Sequence, residues 1–232
     1  MSLTFQDVTI DRVRLIDDDV NVRRTYRYPV EELDVAAEEV EGPIRDVQSL
    51  IRSFDASRDA VICDFNLSVK NYSAVNGDEI VAGLYKSKLP VVLCTRAEKH
   101  TEQIRRSRRF IPVILSPNEL SSESLSEAFE ICVSEFKGVF SPIRRPWQTL
   151  IRIEGGELIG NGDLLQVNAI IPAWDPSILL NFEWRINDNA ALKHIWSGLE
   201  KGDVGRLYAT VNVGAEERED LFVEDWSLVK KL

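Results

Sequence analysis

Over the first 138 residues, short apolar runs alternate with stretches whose apolar residues recur every three or four positions. The runs are "RVRLI", "LDVAAEEV", "AVICDF", "PVVLCT" and "IPVIL". "AVICDF" and "PVVLCT" carry no polar alternation, as expected of strands buried on both faces. The stretches between the runs predict helices. They are "VNVRRTYRY", stopped by Pro29; "PIRDVQSLIRSF", opened by Pro43 as its first helical residue; "NGDEIVAGLY"; "EKHTEQIRRSRR"; and "SSESLSEAFEICVSEFKG". The last has serines to cap its start, Glu123 in its first turn and Gly138 at its end. Five strand–helix repeats imply a doubly wound parallel sheet, because parallel strands need crossover connections. Binding sites in such sheets form at the carboxyl ends of the strands.

The pattern changes at "GVFSPIRRPWQ", where two prolines and a glycine interrupt it. The domain boundary is placed there, giving a first domain over 1–138, a linker over 139–146 and a second domain over 147–232. All five tryptophans (Trp147, Trp174, Trp184, Trp196 and Trp226) lie beyond the linker. Five strand signals follow: "QTLIRIE", "DLLQVNAIIPA", "ILLNFEWRI", "RLYATVNVG" and "DLFVEDWSLV", separated by turn-forming residues. Only "NAALKHIWSGLEKG" suits a helix. The second half is therefore expected to be a small all-β domain, a sandwich or barrel. Tryptophans on strands are expected to be core, and Trp174, in the turn "AWDPS", is expected to be the most exposed of the five.

Composition narrows the function classes. The chain has 232 residues, 44% hydrophobic and 28% charged, which suits a soluble protein with two small cores. No apolar run is long enough to span a bilayer, and "MSLTFQDVTI" lacks the basic and apolar regions of a signal peptide, so a cytoplasmic location is expected. Cys63, Cys94 and Cys132 are odd in number and widely spaced, which points to reduced core thiols. The net charge of −10 repels phosphate backbones and disfavours nucleic acid as a partner. The same holds from Pro146 onward, with 14 acidic and 8 basic residues. Arg105, Arg106, Arg108 and Arg109 form a local exception, readable as a solvated helix face or as a docking surface for an acidic partner. His100 and His194 lack ligand-like spacing. No Ser-His-Asp set, Gly-rich phosphate loop or zinc spacing is present, so no enzyme class is indicated.

The stretch "RLIDDDVNVRR" sets Asp17, Asp18 and Asp19 side by side at the end of an apolar run. Like charges in contact repel, so the cluster needs water or a cation. "AVIC" ends at Asp64 and "VVLC" at Thr95. If these strands are neighbours, the four groups share one sheet edge, and three carboxylates with a hydroxyl offer hard oxygens to a divalent cation such as Mg2+.

In their order and spacing, residues 10–138 resemble the receiver domain of two-component response regulators. "LIDDDVNVRR" resembles that family's acidic pair, "VICDFN" its phosphoacceptor strand, "NGDEIV" the start of its third helix, "PVVLCT" the strand bearing its switch hydroxyl, and "VILSP" the strand that usually ends in Lys-Pro. The resemblance implies a flavodoxin-like (βα)5 fold. It implies that Asp64 accepts a phosphoryl group from a sensor histidine kinase or phosphotransfer protein. Asp18 would bind Mg2+ directly, Asp17 largely through water, and the backbone carbonyl of Asn66 would complete the shell. Thr95 would contact the phosphoryl oxygens. Asp19 is expected to be solvated or to cap the next helix.

The chain departs from that family at several positions. Ser116 replaces the lysine that pairs with the phosphoryl group. Arg96 follows Thr95 where a small residue is usual, and it could supply the missing charge or block Asp64. Val113 replaces the aromatic switch residue, and the loop "LSVKNYSAV" is longer than usual. Phosphorylation-independent scaffolding, as a pseudo-receiver, is therefore the alternative reading. A haloacid-dehalogenase-like phosphatase, suggested by Asp17-x-Asp19 with Thr95, is a third, but "VILSP" lacks the late acidic pair that family needs. Residues 167–188 resemble the B–C strand region of immunoglobulin-like and PKD-like sandwiches, with Trp184 as the core tryptophan. The receiver resemblance makes the second domain an output domain, and because nothing after residue 146 shows two helical patterns joined by a short turn, its expected contact is an unknown protein partner. The receiver resemblance also leaves open pairing of two copies through the fourth helix, where the like-charged arginine cluster would hinder it unless acidic residues answer it.

Overall fold

The structure, a computed structural model, describes residues 2–68, 70–96, 102–187, 190–201 and 205–228. The chain divides into two compact units, Met1–Phe140 and Ser141–Leu232. Among the described residues, no helix is long and apolar enough to cross a membrane.

The first unit opens with a hairpin of β1 (Leu3–Phe5) and β2 (Val8–Ile10), whose three-residue strands are too short to show a sequence period. A five-stranded parallel sheet follows, made of β3 (Arg12–Ile16), β4 (Ala36–Glu39), β5 (Asp59–Cys63), β6 (Val91–Cys94) and β7 (Ile114–Leu115). Its order is β4-β3-β5-β6-β7. Counted from its first strand this is 2-1-3-4-5, the flavodoxin-like doubly wound order. The crossovers are α1 (Val20–Glu31), α2 (Val47–Arg52), α3 (Gly77–Lys86) and α4 (Glu102–Ser107), and α5 (Ser122–Phe136) closes the unit.

The absence of polar alternation in β5 and β6 has a direct cause. Val61, Cys63, Val91 and Leu93 pack on one face of the sheet against Ile51, Ile80 and Leu84. Ala60, Ile62, Val92 and Cys94 pack on the other, against Tyr26, Val30, Leu125 and Phe129. Both faces are covered, so every position from Ala60 to Cys63 and from Val91 to Cys94 is apolar. All three cysteines are free and buried, as expected of core thiols.

Two helix boundaries differ from the sequence reading. Helix α1 does not stop at Pro29 but runs through it to Glu31. Pro29 and Val30 are buried, and that burial outweighs one missing backbone hydrogen bond near the helix end. Helix α2 does not begin at Pro43. It begins at Val47, where the Asp46 carboxylate accepts hydrogen bonds from the backbone N–H groups of Gln48 and Ser49, and the cap sets the start. Ile44 instead forms a bridge with Ser73. Helix α5 has its expected start at the Ser121 cap, and Gly138 follows its end with φ +80°.

The second unit contains β8 (Trp147–Ile159), β9 (Leu164–Ile171), β10 (Asp175–Arg185), α6 (Ala190–Leu199), β11 (Gly205–Val211) and β12 (Val223–Leu228). All strand pairs are antiparallel, in the order β10-β9-β8-β11-β12. A flat sheet would hold its edge strands roughly 19 Å apart, at about 4.8 Å per strand. Yet Trp184 on β10 and Trp226 on β12 have ring centroids 3.9 Å apart. The sheet is therefore curled until its edges meet through side chains. Register shifts in the β8–β9, β9–β10 and β11–β12 pairs mark the irregularities at which such bending occurs. At Gly156 a Cβ would come within 2.8 Å of the Gln166 carbonyl, so the two strands approach closely there.

Strand order and the helix between the third and fourth strands are those of the partly open, five-stranded Greek-key barrel known as the OB-fold. The separate β domain is present. Its core is enclosed by one curled sheet, with Ala191, Leu192 and Ile195 of α6 packed into it, and not by the two facing sheets of an immunoglobulin-like sandwich. Alternating strands look alike in either arrangement, and closure is decided by the tertiary contact between β10 and β12. Trp174 is also not the most exposed tryptophan. It packs on the core and its indole N–H donates to the Ala215 carbonyl at 2.7 Å, whereas Trp147 is 48% exposed.

Candidate functional site

The site is built where adjacent parallel strands end. One residue past β3 and β5, the Asp64 N–H donates to the Ile16 carbonyl at 2.8 Å, which extends the ladder and sets Asp17 beside Asp64. One residue past β6 and β7, the Thr95 N–H donates to Leu115 at 2.9 Å. Asp17, Asp64, Thr95 and Ser116 thus follow four neighbouring strands at one sheet edge.

Asp17 is buried, 3% exposed. One carboxylate oxygen accepts from the Asp19 N–H at 2.7 Å and the other from the Tyr26 hydroxyl at 3.1 Å. The Arg23 guanidinium holds its backbone carbonyl at 2.5 Å. Burial pushes the Asp17 carboxyl up to about 6. The two hydrogen bonds counter that rise, and the charges of Asp64 and Asp18 add to it. Burial also raises the carboxyl of Asp64. The N–H groups of Asn66 and Phe65 counter this, Asp18 adds to it and Arg96 counters it. The Asn66 N–H lies 2.8 Å from Asp64 Oδ2. The charges of Asp18 and Asp64 thus act on Asp17, and that of Asp18 acts on Asp64.

The third aspartate has its own task. Asp19 caps α1, accepting from the Asn21 N–H at 2.8 Å, and this bond holds its carboxyl below the usual range. Thr95 is buried, Arg96 is exposed, and the Ser116 N–H donates to the Glu119 carboxylate at 2.7 Å.

Three contributors are not evident from the sequence pattern. Gly77, the first residue of α3, presses so closely on the site that a Cβ there would fall 1.8 Å from the Asp64 carbonyl oxygen. Tyr26 occupies the helical position four after Val22 and reads as plain core, yet its hydroxyl reaches Asp17. Lys70 lies on the loop after β5, and its Nζ stands 3.4 Å from Asp18 Oδ2 and 3.6 Å from Asp19 Oδ2. The only sequence signal for Lys70 is the extra length of its loop.

The arginine cluster is neither a solvated face nor a bare patch. Arg108 donates to the Ile111 carbonyl, Arg109 approaches the buried Glu135 at 3.9 Å and stacks near Phe140, and of the four only Arg106 is exposed. His100 lies outside the described residues, and His194 sits on an exposed position of α6.

The donor set fits Mg2+ in kind, because carboxylates and backbone carbonyls are the hard oxygens that such an ion takes. Among the described residues, no three acidic, His or Cys side chains stand together as a ready metal cluster. Asp17 is turned to Tyr26 and Asp19, and Asp18 to Lys70.

No protein-family model and no curated protein matches the chain. Similar solved structures include a response regulator receiver domain protein from Clostridium thermocellum, 15% identical, covering 56% of this chain and all of that one, with a TM-score of 0.43. The response regulator TrrA from Thermotoga maritima, in complex with Mg2+-BeF, is 17% identical over 46% of this chain and 86% of that one, with a TM-score of 0.36. The complex of histidine kinase ThkA with TrrA is 16% identical over 57% of this chain and all of that one, with a TM-score of 0.38. The fold of the first unit rests on its strand order and register, independently of these likenesses.

Proposed function

We propose that the chain is an atypical response regulator in which Asp64 accepts a phosphoryl group from a sensor histidine kinase or phosphotransfer protein in the cytoplasm. The observation that carries this reading is the placement of Asp17, Asp18, Asp64 and Thr95 just past three adjacent strand ends. Asp18, Asp64 and the Asn66 carbonyl would hold Mg2+, with Asp17 behind them through water. When bound, the ion supplies the charge neutralisation that phosphoryl transfer to a carboxylate requires. The chain's own groups do the rest. Asp64 presents the attacking oxygen, the Asn66 N–H orients its other oxygen, and the Thr95 hydroxyl meets the incoming phosphoryl oxygens. Arg96, whose charge already acts on Asp64, supplies part of what Ser116 lacks. The acidic β unit serves as the output, contacting a protein and not nucleic acid.

Incubation of the full chain with acetyl phosphate and Mg2+ tests this reading by intact mass. The wild type gains the mass of one phosphoryl group and Asp64→Asn gains none. A second reading, a phosphorylation-independent pseudo-receiver, is favoured by one observation: the position of the missing lysine carries Ser116, whose N–H is engaged with Glu119. It predicts no mass gain in either protein.

A further inference from the structure

Lys70 is placed, not loose. Its loop is closed at the base by the Ser73 N–H donating to the Leu67 carbonyl at 3.1 Å and by the Ser68 hydroxyl donating to Asn76 at 2.7 Å. Leu67 and Tyr72 anchor it in the core, and the Tyr72 hydroxyl donates to the Val40 carbonyl. From that base the Lys70 ammonium reaches back across the strand ends to the carboxylates of Asp18 and Asp19. Of these, Asp18 has a side chain only 11% exposed, while Lys70 itself is 57% exposed. A half-exposed lysine paired with a nearly buried carboxylate can swing into water at small cost, whereas the carboxylate cannot follow it.

We propose that Lys70 is a built-in counter-ion of the acidic pocket, which a divalent cation must displace from Asp18 in order to bind. The proposal rests on the pocket being a Mg2+ site, as read above. It accounts for two facts together: the carboxylates are not gathered as a ready metal cluster, and Asp18 faces a cation already supplied by the chain. The device sets a threshold. At low Mg2+ concentration the ammonium holds Asp18, and at high concentration the divalent ion takes the carboxylate and frees the loop. Its charge weakens metal binding both by occupying Asp18 and by repelling the incoming ion.

The test is isothermal titration of MgCl2 into the full chain, comparing wild type with Lys70→Ala, Lys70→Gln, Lys70→Arg and Asp18→Asn. Circular dichroism verifies that each variant is folded. The expected result is that Ala and Gln each lower the Mg2+ Kd about fivefold, the scale of one half-exposed charge pair, while Arg leaves it near wild type and Asp18→Asn loses binding. An unchanged or raised Kd in both Ala and Gln overturns the role of Lys70 and leaves the metal site standing. Absence of Mg2+ binding in wild type, Ala and Gln alike, or undiminished binding by Asp18→Asn, overturns the metal site and this inference with it.

Discussion

Asp17 shows what a single buried carboxyl costs the fold. Its folded value of about 6 lies above its ordinary 3.8. Between those values the folded chain holds a proton that the unfolded chain has released. Stability therefore falls as pH rises through that window and levels off above about 6. Asp17→Asn keeps an oxygen for the Asp19 N–H and a polar partner for Tyr26 while removing the charge. Urea midpoints of the two proteins should lie close together at pH 4 and diverge by pH 7, with the variant the more stable. Equal midpoints at both pH values would show that the carboxyl carries no such penalty. The residues of the pocket were legible to different degrees for a physical reason. Asp17, Asp18, Asp64 and Thr95 follow apolar runs, and the end of a strand is visible in a sequence. The phenol of Tyr26, the close approach at Gly77 and the reach of Lys70 depend on which elements become neighbours, which local pattern does not record.

Among the elements, strands buried on both faces were the easiest to recognise, since nothing but an interior tolerates "AVIC" or "VVLC" without polar relief. Helix ends were harder. Pro29 is a stop signal by local rules, yet core burial carries α1 past it. Pro43 is a start signal by the same rules, yet the carboxylate of Asp46 sets the first turn of α2. That helix has only six residues, too few to be stable without help. Asp46→Ala should lower the midpoint of chemical denaturation, with faster amide exchange confined to residues 47–53. An unchanged midpoint would assign the start of α2 to packing alone.

At the scale of the whole molecule, the two halves differ in how far pattern alone determines them. Strand–helix alternation leaves few topologies for the first half, because handed crossovers prune the rest. Five antiparallel strands leave many, and whether they face a second sheet or close on themselves rests on contacts such as Trp184 against Trp226. Replacing Trp226 by Ala should open that closure. Because the ring is only partly buried, the expected loss is about 2–3 kcal/mol, below the full cost of a buried tryptophan. Near-ultraviolet dichroism should lose the signal of the coupled indoles. A variant with unchanged stability and spectrum would mean that the closure does not depend on this pair.

The same indoles give the molecule an optical asymmetry. All five tryptophans lie between Trp147 and Trp226, and four of the five tyrosines lie before them. Selectively excited indole emission therefore has its source in the second half alone, although the proposed phosphoryl chemistry belongs to the first. Any change in that emission on adding Mg2+ or acetyl phosphate is a label-free measure of signal transmitted along the chain.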